Sequence, residues 1–304
     1  MESIVKELYY NELNDFYNDV ISPKGLLYNG FSTSYKNQVI RSFIFRGVSC
    51  ADFNLLPTAL RTENKQKVWE LGELDVNAKY SEYNQIQAEE KILNKFLLKC
   101  DYHGLTIPKV ERLRVHFRDR FSIDKLRNAN KWLSDEYFEL AGLAQHYGLP
   151  TRLLDWTKDF YVALYFALKR SDINLKNEHV AVWAFDYSTY QIFNFERVND
   201  PLRFIQPEYY LNPNLGAQKG LFTLWQIDSL TMMDHQIIDI TPLNQLVETR
   251  LQSDSNEIPT IFYKIMIHKK LINELSIFLR KSNYDAARLF PGYYGVVRSI
   301  EEAT

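Results

Sequence analysis

The sequence predicts an α+β fold, and three observations carry that prediction. Helix-like segments lead and strand-like segments accumulate late, without the regular alternation of a βαβ chain. With 304 residues the chain can bury a full-size core, as one large domain or as two. Its 20 Tyr and 19 Phe against 11 Gly describe an ordered, well-packed polypeptide. Those aromatics suit core and half-exposed strand positions, or a surface on which a flat ring stacks.

The elements follow in order. Residues 3–20 alternate apolar and acidic positions at roughly helical spacing, which predicts a leading helix. Segment 42–48, aromatic and β-branched, predicts a strand. Leu55–Arg61 reads as a turn or short helix with Pro57 at its first position. Over 85–99, Ile86, Leu93, Phe96 and Leu97 share one face of an amphipathic helix. Its continuation through 109–130 holds a basic run, Arg112, Arg114, His116, Arg118 and Arg120, suited to a solvated face or to a phosphate or partner contact. Trp132–Tyr147 predicts a helix ending near Gly148, and Thr151–Trp156 a short strand. Thr157 is placed as the N-cap of a helix over Lys158–Lys169, with Asp159 in its first turn. Val180–Tyr187, Leu221–Trp225 and Ile261–Ile267 predict strands, Gln236–Ile240 a weaker one, and Lys270–Lys281 a helix.

Composition excludes several classes. A formal charge of −2 supplies no global basic field for nucleic acid or anionic membrane. Cys50 and Cys100 form no C-x-x-C pair, which argues against a disulfide framework or zinc site and fits a reducing cytoplasm. No apolar stretch reaches membrane-span length, and the N-terminus has no apolar signal region. No phosphate loop, G-x-G-x-x-G, H-E-x-x-H or G-x-S-x-G occurs, and the histidines show no metal-ligand spacing, so no metal is expected.

Gln145–Thr157 is the densest chemistry in the chain: His146, Tyr147, Arg152, Asp155 and two threonines interleaved with Leu153, Leu154 and Trp156. Such a mixture holds polar groups at the edge of a core, where they are desolvated and aimed. Arg46, on an aromatic strand before Gly47, is suited to ligand binding or to a buried ion pair with Asp155. Arg152 and Asp155 could equally pair with neighbours, His146 could cap a helix, and Gln218 could serve as a strand-end hydrogen bonder.

Phe45-Arg46-Gly47, Leu56–Arg61, Ala144–Thr157, Ala163–Ala167, Gly216–Phe222 and Leu289–Gly295 together resemble the FRG domain family. The resemblance spans about residues 40–298 and implies one domain over 39–300, with a helical insertion near 85–145 and a helical lead-in over 1–38. The family is associated with bacterial and phage-linked genes, which implies a setting in defence, toxin action or stress response. More distantly, strand-borne Arg46-Gly47 is similar to the first motif of arginine-class ADP-ribosyltransferases. That similarity implies a split mixed or antiparallel sheet and NAD as substrate. It implies Arg46, Asp155 and Gln218 as catalytic residues. It also implies Arg46, Gly47, His146, Tyr147, Thr151 and Arg152 as NAD-binding residues, with a protein or nucleic-acid acceptor. Gln218-Lys219 stands where those enzymes carry a glutamate. A binding module without catalysis, for a nucleotide, protein or RNA, is the alternative reading.

Overall fold

The computed structural model describes residues 3–30, 42–75, 78–107, 131–169, 177–195, 199–228, 237–252 and 258–303, with Lys109 and Leu113 besides. The basic run over 112–120 lies outside the described residues. A seven-stranded mixed sheet is crossed by helices on both faces, the α+β architecture expected. Its strands are β1 (Val5–Tyr10), β2 (Phe43–Val48), β4 (Leu154–Thr157), β5 (His179–Asp186), β6 (Leu202–Ile205), β7 (Gly220–Trp225) and β9 (Phe262–His268). They lie in the order β1-β9-β5-β2-β4-β7-β6. β3 (Lys131–Trp132) and β8 (Ile227–Asp228) form a separate two-stranded ribbon.

Alternation along the central strands explains why the sheet is covered on both sides. In β5, Val180, Val182 and Ala184 join one apolar cluster while Ala181, Trp183 and Phe185 join another. Every one of these side chains is buried, so both faces need a cover of helices. On the first face lie α3 (Phe160–Leu168) and α5 (Ile272–Lys281). The second face receives α4 (Leu243–Gln252) through Leu243, Val247 and Leu251. Between β2 and β4 the chain builds α1 (Glu82–Tyr102) and α2 (Phe138–His146), which pack with Leu153, Phe222 and Leu224 into a third cluster.

Several expected elements are corrected. The leading segment is not one helix: its start is β1, which pairs in parallel with β9 from Val5 opposite Phe262 to Tyr10 opposite Ile267. Helical turns follow only from Leu13. Tertiary pairing with the far end of the chain overrides a weak helical pattern. The helix expected over Trp132–Tyr147 begins at Phe138, because Lys131 and Trp132 are spent on the ribbon with β8. Its end is as expected, with Gly148 at φ +89°. The N-cap of α3 is Asp159, whose carboxylate accepts the Tyr161 N–H at 3.1 Å; Thr157 closes β4. Residues 237–240 form no strand, and β6 lay outside the expectations.

Candidate functional site

β2 and β4 are neighbours, yet a single register pair, Phe45 opposite Thr157, joins them. Past that pair Arg46–Val48 continues its ladder only with β5, and Leu154–Trp156 only with β7. The sheet therefore splits, and a cleft of about 440 Å³ opens between the separating strands. Gly47 is what lets α3 close the floor: a β-carbon there would sit 1.9 Å from the Ala163 carbonyl oxygen. The glycine serves this close helix–strand approach, and only its main chain borders the cleft.

Arg46 enters the cleft from β2 and is held by β4. Its Nη1 donates to the Asp155 carbonyl oxygen at 2.8 Å and to the Asp155 carboxylate at 3.3 Å. Its Nε is buried and has no acceptor among the described residues. The Asp155 side chain stays 56% exposed and also accepts from Gln145 Nε2 at 2.6 Å. Thr151 in turn donates its hydroxyl to Gln145 Oε1, so a relay Thr151–Gln145–Asp155–Arg46 fixes the guanidinium. Neither Arg46 nor Asp155 is screened from the cleft, so both remain available to a ligand.

His146 closes the C-terminal turn of α2 beside them. Asn214 donates to its Nε2 at 2.9 Å, which puts the ring proton on Nδ1. Burial lowers its pKa, against the opposing pull of Asp155, and keeps the imidazole neutral at neutral pH. Gln218 reaches the cleft from the turn before β7 and donates Nε2 to the Leu289 carbonyl oxygen at 3.1 Å. Its own carbonyl oxygen accepts the Thr157 hydroxyl at 2.6 Å. Phe53, Phe166 and Phe290 supply aromatic wall, the last two meeting edge to face at 6.2 Å.

Of the residues expected from the sequence, Arg46, Gly47, His146, Asp155 and Gln218 line the cleft. Three expected ligand contacts are displaced. Tyr147 points to solvent, 70% exposed, with its ring edge-on to His146. Thr151 is buried behind Gln145. Arg152 is buried on the other side of β4 between two carboxylates, donating Nε to Glu89 at 2.6 Å and Nη2 to Glu82. Arg152 sits on the bend before β4 and Asp155 within the strand, so the two leave the chain in different surroundings although only three residues apart.

Two cleft residues escaped the sequence reading of the site. Gln145 immediately precedes His146, and Arg61 ends the Leu56–Arg61 motif. Burial lowers the pKa of Arg61, and the neighbouring Arg46 charge lowers it further, against Glu63 and Asp155. An arginine closing a short motif of apolar residues, Leu56, Ala59 and Leu60, is the available signal. Among the described residues no group of three His, Cys, Asp or Glu side chains is placed to hold a metal ion. No described helix is long and apolar enough to cross a membrane.

Residues 41–175 match the family model of the FRG domain, a segment that supplies Arg46, Arg61, His146 and Asp155 but ends before Gln218 and Phe290. No curated protein and no solved structure matches the chain.

Proposed function

We propose that the cleft between β2 and β4 binds NAD and transfers its ADP-ribosyl group to an acceptor or to water. The convergence of Arg46, Asp155, His146 and Gln218 where the sheet splits carries this reading. The guanidinium of Arg46 suits a phosphate by its fork geometry, and its Nη2 makes no hydrogen bond among the described residues. The Phe166 and Phe290 rings suit a departing nicotinamide. Breaking the bond between the nicotinamide nitrogen and the ribose carbon sends the bonding pair to the ring, which leaves neutral. The ribosyl cation left behind is stabilised by the Asp155 carboxylate. A nucleophile on the acceptor, or water, then bonds that carbon and releases one proton. Loss of a comparable charge-stabilising group costs roughly 3–4 kcal/mol of barrier. Consumption of cellular NAD accords with the defence or toxin setting that the FRG resemblance implies.

Gln218 favours a second reading. Its amide is a donor to the Leu289 carbonyl oxygen, a bond that a carboxylate cannot make. A site settled around that amide suits a module that holds a nucleotide without cleaving it.

Incubating the protein with NAD and following free nicotinamide, with and without lysate as acceptor source, separates the two. Release that folded Arg46→Ala lacks supports NAD chemistry, and dependence on lysate identifies a transferase. No release alongside thermal stabilisation by NAD or ADP-ribose selects the binding module.

A further inference from the structure

The cleft wall carries a second guanidinium. Arg61 follows a helical turn, Thr58–Leu60, that is anchored at several points. Leu60 N–H donates to the Pro57 carbonyl oxygen at 3.0 Å, and Ala59 N–H to that of Thr151 at 3.0 Å. Gln85 Nε2 from α1 donates to the Ala59 carbonyl oxygen at 2.9 Å. Arg61 itself is oriented by its Nε, which donates to the Leu56 carbonyl oxygen at 3.1 Å. Its Nη groups, the outer edge of the fork, make no hydrogen bond among the described residues, and Arg61 borders the cleft.

Charge makes this arrangement informative. Among the described lining residues there are two guanidiniums and one carboxylate, Asp155. Asp155 is bonded to Arg46 and not to Arg61, and Glu63, near Arg61, is solvent-exposed outside the cleft. Arg46 and Arg61 border one partly desolvated cleft and their charges oppose each other, a repulsion that an anionic ligand relieves. The donors left over are the Nη2 of Arg46, whose Nη1 is taken by Asp155, and the Nη pair of Arg61. One anionic oxygen from each of two linked phosphoryl groups would satisfy both.

We propose that Arg46 and Arg61 form a two-armed cradle for a diphosphate, so that the cleft selects nucleoside diphosphates and their conjugates over monophosphates. The inference rests on the nucleotide reading above and makes Arg61 the residue that determines this preference. Arg46 stays tethered to Asp155 while it binds; Arg61 supplies the arm that a monophosphate leaves unused.

Calorimetric titration of the full chain with pyrophosphate, phosphate, ADP, AMP and NAD tests it. Wild type is expected to bind ADP at least about tenfold tighter than AMP, as one added charged hydrogen-bonding arm allows. Folded Arg61→Gln should lose that advantage while AMP binding changes little, and Arg61→Lys, with charge but no fork, should fall between. Equal wild-type affinities for ADP and AMP overturn the cradle whether or not the variants fold. NAD turnover with an unchanged KM in Arg61→Gln overturns the cradle and leaves the NAD reading standing. Pyrophosphate binding that needs Arg61, without any binding of NAD, supports the cradle and overturns the NAD reading.

Discussion

Asp155 holds Arg46 twice, through its main-chain oxygen and through its carboxylate, and so ties β4 to β2 where their backbones have parted. The carboxylate contact is long and water reaches it, so its share of stability is small, about 0–1 kcal/mol. Asp155→Asn is expected to unfold at nearly the wild-type urea concentration, because the main-chain contact survives. Ligand binding and nicotinamide release should nevertheless fall. A loss of several kcal/mol with no functional change would make the pair structural.

Arg152 behaves in the opposite way. It lies between Glu82 and Glu89, and Glu89 also accepts from Trp132 Nε1 at 2.8 Å. Arg152→Met removes the cation and leaves two buried carboxylates, at a cost of about 3–5 kcal/mol. Adding Glu82→Gln and Glu89→Gln should recover part of that loss in urea unfolding. Stability within about 1 kcal/mol of wild type for Arg152→Met would contradict the network.

Gly47→Ala places a carbon 1.9 Å from the Ala163 carbonyl oxygen and 2.5 Å from the Ala167 nitrogen. Both are helix backbone, which cannot swing aside. The cost should lie at or beyond the upper end of the roughly 1–3 kcal/mol typical of overpacking. Thermal denaturation compared with Gly148→Ala, where open space surrounds the new carbon, separates this clash from simple backbone strain.

Glu90 on α1 is pushed up to about 7 by burial, with the Tyr137 hydroxyl pulling the other way. Its ordinary value is 4.5, so between those limits the folded chain keeps a proton that the unfolded chain has released. Stability is therefore lost as pH rises through that window and levels off above it. Glu90→Gln should stabilise the protein at pH 8 by up to about 3 kcal/mol and leave it unchanged near pH 4. Equal gains at both pH values would refute the assignment.

Gln218→Glu exchanges the donor to Leu289 for a charge beside the cleft. It should cost about 1 kcal/mol from the lost bond. If the cleft performs glycosidic cleavage, nicotinamide release should rise. An unchanged zero rate, with the ligand still bound, supports the module without catalysis.

Elements with a strong local pattern were legible in the chain. β2, β5, α1 and α3 are set by runs of apolar residues whose spacing decides their type. β1 was not legible, because Val5–Tyr10 becomes a strand only when Phe262–Ile267 lies beside it. The same holds at the cleft. Arg46 and Asp155 announce themselves by sitting amid residues that must be buried, whereas the roles of Gln145 and Arg61 depend on which strand edges separate. The partners of Arg152 are not legible because they lie 63 and 70 residues away, on α1.

The lone pairing of Phe45 with Thr157 also bears on where this protein can be cut. Within residues 41–175, β2 and β4 have only that one rung between them. Their continuous ladders are with β5 and β7, both of which come later in the chain. A fragment trimmed to the matched segment would expose the outer edges of two strands with almost nothing to join them, an invitation to intermolecular pairing. The stretch that is recognisable as a family signature is thus shorter than the stretch that must be synthesised before the sheet can close.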